Sequence, residues 1–198
     1  FRSAQAEALL PIPYFHVVFT LPEALGPLAL RNPQVVYSLL FKAASETLLE
    51  LSRDPHHLGA QIGITALLHT WSQTLIHHPH LHCIVTGGGL SEDGQEWIEA
   101  RKDFFLPVKV LSRLFRGKML AYVKKAYQAD ELIFPGRIAA WEDPRFFQEQ
   151  LTGLYQKEWV VYCKPPLGRP EQVLGYLARY THRVALTNDR ILCVEGAG

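Results

Sequence analysis

The run "YFHVVFTLP", Tyr14 to Pro22, is rich in β-branched and aromatic residues and is closed by a proline, the composition of a central strand. The stretch "NPQVVYSLLFKAASETLLELSRD" changes to helical spacing, with Asn32 placed as N-cap and Pro33 as the first helical residue. "AQIGITALLHTWSQTL" then reads as a strand running into a turn, and "PHLHCIVTGGGL" as its antiparallel neighbour, so the two predict a β-hairpin. A short strand "EWIEA" follows. An amphipathic helix is expected from Val108 to about Tyr127 and another from Phe146 to Gln156. After them come a strand "EWVVYC", a proline-rich turn "KPPLGRP", a helix from about Glu171, and two short strands around Val184 to Leu186 and Ile191 to Val194.

The order β, α, β, β, α, β with a closing helix predicts an α+β fold. The expected form is an antiparallel sheet with helices packed on one face, a ferredoxin-like or palm-like core with a helical insertion. No repeat, low-complexity tract or flexible linker interrupts it. A chain of 198 residues, 48% of them hydrophobic, is long enough for one substantial core.

The net charge of +1 excludes a chain that binds nucleic acid through bulk charge alone. Any such partner requires a local patch, and the densest is Lys109, Arg113, Arg116, Lys118, Lys124 and Lys125 in the helix from Val108. The three cysteines, Cys83, Cys163 and Cys193, lie far apart in apolar runs and read as buried thiols of a reducing compartment. No apolar run reaches the roughly 18 to 20 residues of a membrane span, and the expected location is the cytoplasm, with no membrane partner.

Four of the nine histidines fall within six residues, His77 to His82. In a strand His80 and His82 point to one face about 7 Å apart, while Leu81 and Cys83 point to the other. Two imidazoles can converge on one ion but cannot complete its shell. His69 in "LLHTW" is the best-placed third ligand, with Gln73 behind it, subject to a hairpin register that local pattern leaves open. A His-x-His pair is equally compatible with a surface or core position. His77 and His78 read as turn residues, and His56 and His57, beside Asp54-Pro55, as a solvated loop.

The second constellation is "RPEQVLGYLARYTHRVAL". At 100° per residue, Val173, Leu174, Leu177 and Ala178 form an apolar stripe, and Tyr176, Tyr180, Arg179 and Arg183 share an adjoining arc. The tyrosines stand one turn apart, about 6 Å along the axis. A His-hydrophobe-His strand followed by a Tyr-x-x-x-Tyr helix resembles the two-tyrosine HUH single-strand endonucleases. The blocks "PYFHVVFTLP", "LHTWSQTL", "HPHLHCIVTGGGL" and "YLARYTHRVAL" together resemble the transposases of rolling-circle insertion sequences, the putative-transposase family, from about Leu10 to about Leu192.

That resemblance implies an HUH nuclease domain over residues 13–198, preceded in residues 1–12 by the remnant of a zinc-binding segment that full-length members carry; further sequence also follows the last block in those members. It implies Tyr176 and Tyr180 as nucleophiles and a 5′-phosphotyrosine link to single-stranded DNA at transposon ends. A divalent metal, magnesium or manganese, is expected on His80, His82 and His69. A phenol with a pKa of about 10 needs such help at neutral pH. Arg179 and Arg183 are candidate phosphate clamps, and Lys124 and Lys125 candidate contacts to the DNA backbone. Two other functions fit part of the pattern: a DNA-binding remnant without catalysis, and a metal-dependent phosphoesterase that would not need the tyrosines. A replication initiator or relaxase shares the HUH chemistry.

Overall fold

A computed structural model describes residues 10–72, 76–101 and 105–167, the last three by their backbone. Strand β1 (Tyr14–Thr20) leads through a 3-10 turn (Glu23–Leu25) into the short helix α1 (Gly26–Arg31) and the long helix α2 (Pro33–Arg53). Strands β2 (Gln61–Trp71) and β3 (His77–Leu90) form the expected hairpin, and β4 (Trp97–Glu99) pairs with the end of β3. Helix α3 (Val108–Gln128), a 3-10 segment (Gly136–Glu142), helix α4 (Pro144–Gln156) and strand β5 (Val161–Leu167) complete the described chain.

The sheet order is β2-β3-β1-β5, with every pair antiparallel. Set against the element order, this is the ferredoxin-like arrangement, in which β3 inserts between β1 and β2. The helical insertion is the 3-10 segment with α4, between α3 and β5.

One face of the sheet is the core. Phe15, Val17 and Phe19 of β1 and Leu81, Cys83 and Val85 of β3 are buried against Val36, Leu40, Ala43, Ala44 and Leu48 of α2 and Leu111, Phe115 and Met119 of α3. These strand positions alternate and the helical ones recur every three or four residues, so each element commits one face to the same interior. The Phe19 and Phe115 rings meet at 4.9 Å between centroids and tie the sheet to α3.

Three local details differ from the sequence reading. Pro33 does start α2, but the Asn32 side chain makes no cap bond. Instead it donates to the carbonyls of Leu28 (3.1 Å) and Ile133 (2.9 Å) and accepts from the Ile133 amide (2.8 Å), which fastens the α1–α2 junction to the segment after α3. Helix α4 begins at Pro144, two residues early, because the Asp143 carboxylate accepts from the amides of Arg145 and Phe146. Finally, Pro165 and Pro166, expected in a turn, continue β5. That strand lies at the sheet edge and its register slips between Tyr14 and His16, and an edge irregularity is where a sheet tolerates proline.

The run Gly87-Gly88-Gly89 sits where β3 touches three neighbours. A Cβ at Gly88 would stand 2.6 Å from the Ile98 carbonyl, and one at Gly89 2.3 Å from the Gln61 carbonyl. The β2–β3 register shifts beside it, between Ile62 and Ile64. No helix among the described residues is long and apolar enough to cross a membrane. Cys83 is buried and Cys163 partly so, both as free thiols; burial pushes Cys83 up to about 12 and Cys163 to about 11.

Candidate metal centre

The sheet's second face carries the histidines. Pleating sends His80 and His82 of β3 away from Leu81 and Cys83, and the register sets His69 of β2 directly opposite His80. One ring nitrogen from each of His69, His80 and His82 lies within 4.8 Å of the other two. Ring centroids are 5.4 Å apart for His69–His80, 5.1 Å for His69–His82 and 4.9 Å for His80–His82. Three imidazoles converging at that spacing fit a borderline transition-metal ion.

Hydrogen bonds at Nδ1 orient His80 and His82. His80 Nδ1 lies 2.7 Å from the carbonyl oxygen of His78, to which it donates. His82 Nδ1 lies 2.8 Å from Nε2 of His16, on β1. Coordination through the opposite nitrogen of His82 requires the proton on Nδ1, so His82 is then the donor and His16 the acceptor. The His16 and His82 rings are nearly parallel, 5° apart, and only 2% and 6% exposed.

Burial also sets the protonation state. It lowers His82 to about 3, helped by the neighbouring charges of His80, His16 and His69, and lowers His16 to about 4, helped by the Lys164 ammonium across the β1–β5 pair. His80 is lowered as well, again chiefly by burial. At neutral pH these three rings are therefore uncharged, the form in which imidazole offers a lone pair to a metal.

His16 was not among the residues singled out by sequence pattern. The available signal was its parity: it interrupts the apolar run "YFHVVFT" on the face opposite Phe15, Val17 and Phe19. His77 and His78 belong to β3 and not to the turn. His77 faces the helices, with Nε2 3.0 Å from the Tyr37 hydroxyl, and the His78 ring lies 5.5 Å from that of His80, tilted by 47°. His56 lies in an exposed loop with Nδ1 2.8 Å from the Asp54 carboxylate.

Lys124 and Lys125 are exposed on α3, in the helical layer across the sheet from the histidines. A strand held at the histidines reaches them only by passing round the sheet edge. Part of that basic run is occupied within the fold: Lys118 pairs with Glu50 at 2.7 Å, and Arg116 donates to the Lys157 carbonyl and lies over the Tyr155 ring. Gln73, Tyr176, Arg179, Tyr180 and Arg183 lie outside the described residues.

The fold and the trio define an α+β protein with a candidate histidine metal centre on the sheet face opposite the helical core. The chain belongs to the family described as "Putative transposase" (Y2_Tnp), whose model matches residues 63–198. The match takes in His69, His80, His82 and both tyrosines, and begins beyond His16.

Among curated proteins the chain is 53% identical over 187 residues to "Putative transposase y4qJ" of Sinorhizobium fredii (strain NBRC 101917 / NGR234), covering 94% of this chain and 47% of that protein. It is 26% identical over 189 residues to the "Transposase for insertion sequence element IS801" of Pseudomonas savastanoi pv. phaseolicola, covering 96% of this chain and 44% of that protein. The chain thus spans about half the length of these relatives. Among solved structures it is similar to "Conjugative Relaxase Trwc In Complex With Orit DNA. Metal-Bound Structure", with a TM-score of 0.47 and 15% identity over 85% of this chain and 71% of that one. A second structure, "Conjugative Relaxase TrwC in complex with mutant OriT Dna", gives a TM-score of 0.45 at 15% identity over 55% of this chain and 43% of that one.

Proposed function

We propose that this chain is the nuclease core of a transposase that cuts and rejoins single-stranded DNA at the ends of an insertion sequence through a 5′-phosphotyrosine intermediate. The observation that carries the reading is the convergence of His69, His80 and His82 on the sheet face opposite the helical core, within a chain of a transposase family that also bears Tyr176 and Tyr180. A divalent ion bound there supplies Lewis-acid stabilisation of the phosphate. His69, His80 and His82 would hold it, and their nitrogen donors favour manganese over magnesium, with zinc a competitor.

The phenolate oxygen of one tyrosine forms a bond to the scissile phosphorus, and the bond to the departing 3′ oxygen breaks. That oxygen takes up a proton and becomes a 3′-hydroxyl. Attack by a 3′-hydroxyl on the phosphotyrosine reverses the step and restores the phenol, so no water or nucleotide cofactor is consumed. A second tyrosine one helical turn away permits a second cut while the first strand is still attached. Arg179 and Arg183 would hold phosphate oxygens.

The test is incubation of labelled single-stranded DNA carrying the element's end with manganese, followed by denaturing electrophoresis. An adduct that survives denaturation, persists in one of Tyr176→Phe and Tyr180→Phe, and vanishes in the double variant is the expected result. A folded wild-type protein that forms no adduct refutes the nuclease reading, and an adduct that survives the double variant refutes the roles of the tyrosines.

A further inference from the structure

A wide groove opens at the end of the sheet next to the histidines, between the β1–α1 turn, the start of β3, and the segments before and after α4. Its volume is about 1050 Å³, at or beyond the top of the roughly 300–1,000 Å³ range of small-molecule sites. Leu30 and Ile76, 54% and 62% exposed, present apolar surface to it. Arg31, Arg137 and Lys157 also line it and are exposed, against one carboxylate, Glu23. Among the described residues the ion pairs are His56 with Asp54 and Lys118 with Glu46 and Glu50, so none of these three cations is paired with a described carboxylate.

The groove lies on the helical side, beyond the ends of the two strands that carry the metal centre on their other face. Thr20 of β1 is the register partner of His80, and Pro22, two residues on, lines the groove. The Leu21 amide donates to the Pro79 carbonyl at 3.0 Å, which holds β1 and β3 together up to that point. His77, three residues before His80 and so about 10 Å along β3, lines it from the other side.

We propose that this groove is a second nucleic-acid site, which takes the single strand flanking the phosphate held at the histidines; the inference rests on the nuclease reading above. The three cations meet backbone phosphates, and Leu30 and Ile76 meet unstacked bases. The apolar surface requires bases that are not paired, so the occupant is single-stranded and not duplex DNA. The excess of cations and the size of the groove select a polyanion over a single small ligand.

The experiment is fluorescence anisotropy of labelled single-stranded DNA on the 198-residue chain in EDTA, across a salt series. It compares wild type with Arg31→Ala/Arg137→Ala/Lys157→Ala and with a control of equal charge loss, Arg53→Ala/Arg101→Ala/Arg145→Ala. Each phosphate contact on single-stranded DNA contributes a slope of about −0.7 to log K against log salt. The groove variant is expected to lose about 2 from that slope and at least tenfold in affinity, with the control near wild type. Leu30→Ser/Ile76→Ser should lower the preference for single-stranded over duplex DNA. Equal behaviour of groove and control variants overturns the groove while leaving the nuclease reading intact, whereas a wild-type chain that binds no single-stranded DNA overturns both.

Discussion

Replacing His16 with alanine removes a side chain hydrogen-bonded to Nδ1 of His82, at 2.8 Å, without touching the three rings that converge. A hydrogen bond of this kind contributes about 1 kcal/mol net, and leaving its buried partner unsatisfied costs about 1–3 kcal/mol. His82 is 6% exposed, so water does not readily replace the lost acceptor. The ring then loses the partner that fixes its tautomer, and its proton can shift to the nitrogen that would face an ion.

Loss of a residue that orients a metal-binding histidine typically weakens metal affinity about 10- to 100-fold, or about 1.4–2.7 kcal/mol, the same size as the hydrogen-bond estimate. Manganese binding to metal-free protein at pH 7.5, read from the free-ion paramagnetic resonance signal, measures this without catalysis. His16→Ala is expected to bind 10- to 100-fold more weakly. His16→Gln, whose amide oxygen falls near the position of Nε2, is expected to recover most of the loss. Circular dichroism confirms that both are folded. If folded His16→Ala binds manganese as tightly as wild type, or if His16→Gln fails as badly as alanine, orientation of His82 by His16 is refuted.

The same histidines make the metal-free protein acid-sensitive. His16 and His82 titrate near 4 and near 3 when folded and near 6.5 when unfolded, so between those limits the unfolded chain binds more protons. Their contribution is present above pH 6.5 and is lost as pH falls through about 4 and about 3. Urea melts in EDTA should show about 2 kcal/mol less stability per histidine at pH 5 than at pH 7.5, and a flat profile would contradict the burial argument. Two glycines should respond in opposite senses. Gly89→Ala drives a methyl to 2.3 Å from the Gln61 carbonyl and is expected to cost ~2 kcal/mol or more, whereas Gly117→Ala, within α3 with nothing within 4 Å, should gain ~0.5–1 kcal/mol. Thermal melts of the two variants decide this, and equal shifts would refute it.

Much of the site was legible because its grammar is local. Alternation along "PHLHCIVT" puts His80 and His82 on one face whatever surrounds the strand, since the pleat has a period of two. Asn-Pro followed by a helical stripe starts α2 at Pro33, since proline fixes its own backbone and has no amide to bond. Element order follows from such cues, and with it the α+β class. What the chain could not decide locally is which strands meet and in what register. His69 faces His80 only because the hairpin pairs Leu67 with His82, and a slip of one residue would have turned His69 to the helical face. His16 reaches His82 only because β3 inserts beside β1, across 66 residues of sequence. Lys124 and Lys125 look like candidates along the chain and stand across the sheet from the histidines once α3 packs. Side-chain direction is set by neighbours one to four residues away, whereas convergence on a site depends on long-range pairing, which burial of the whole core selects.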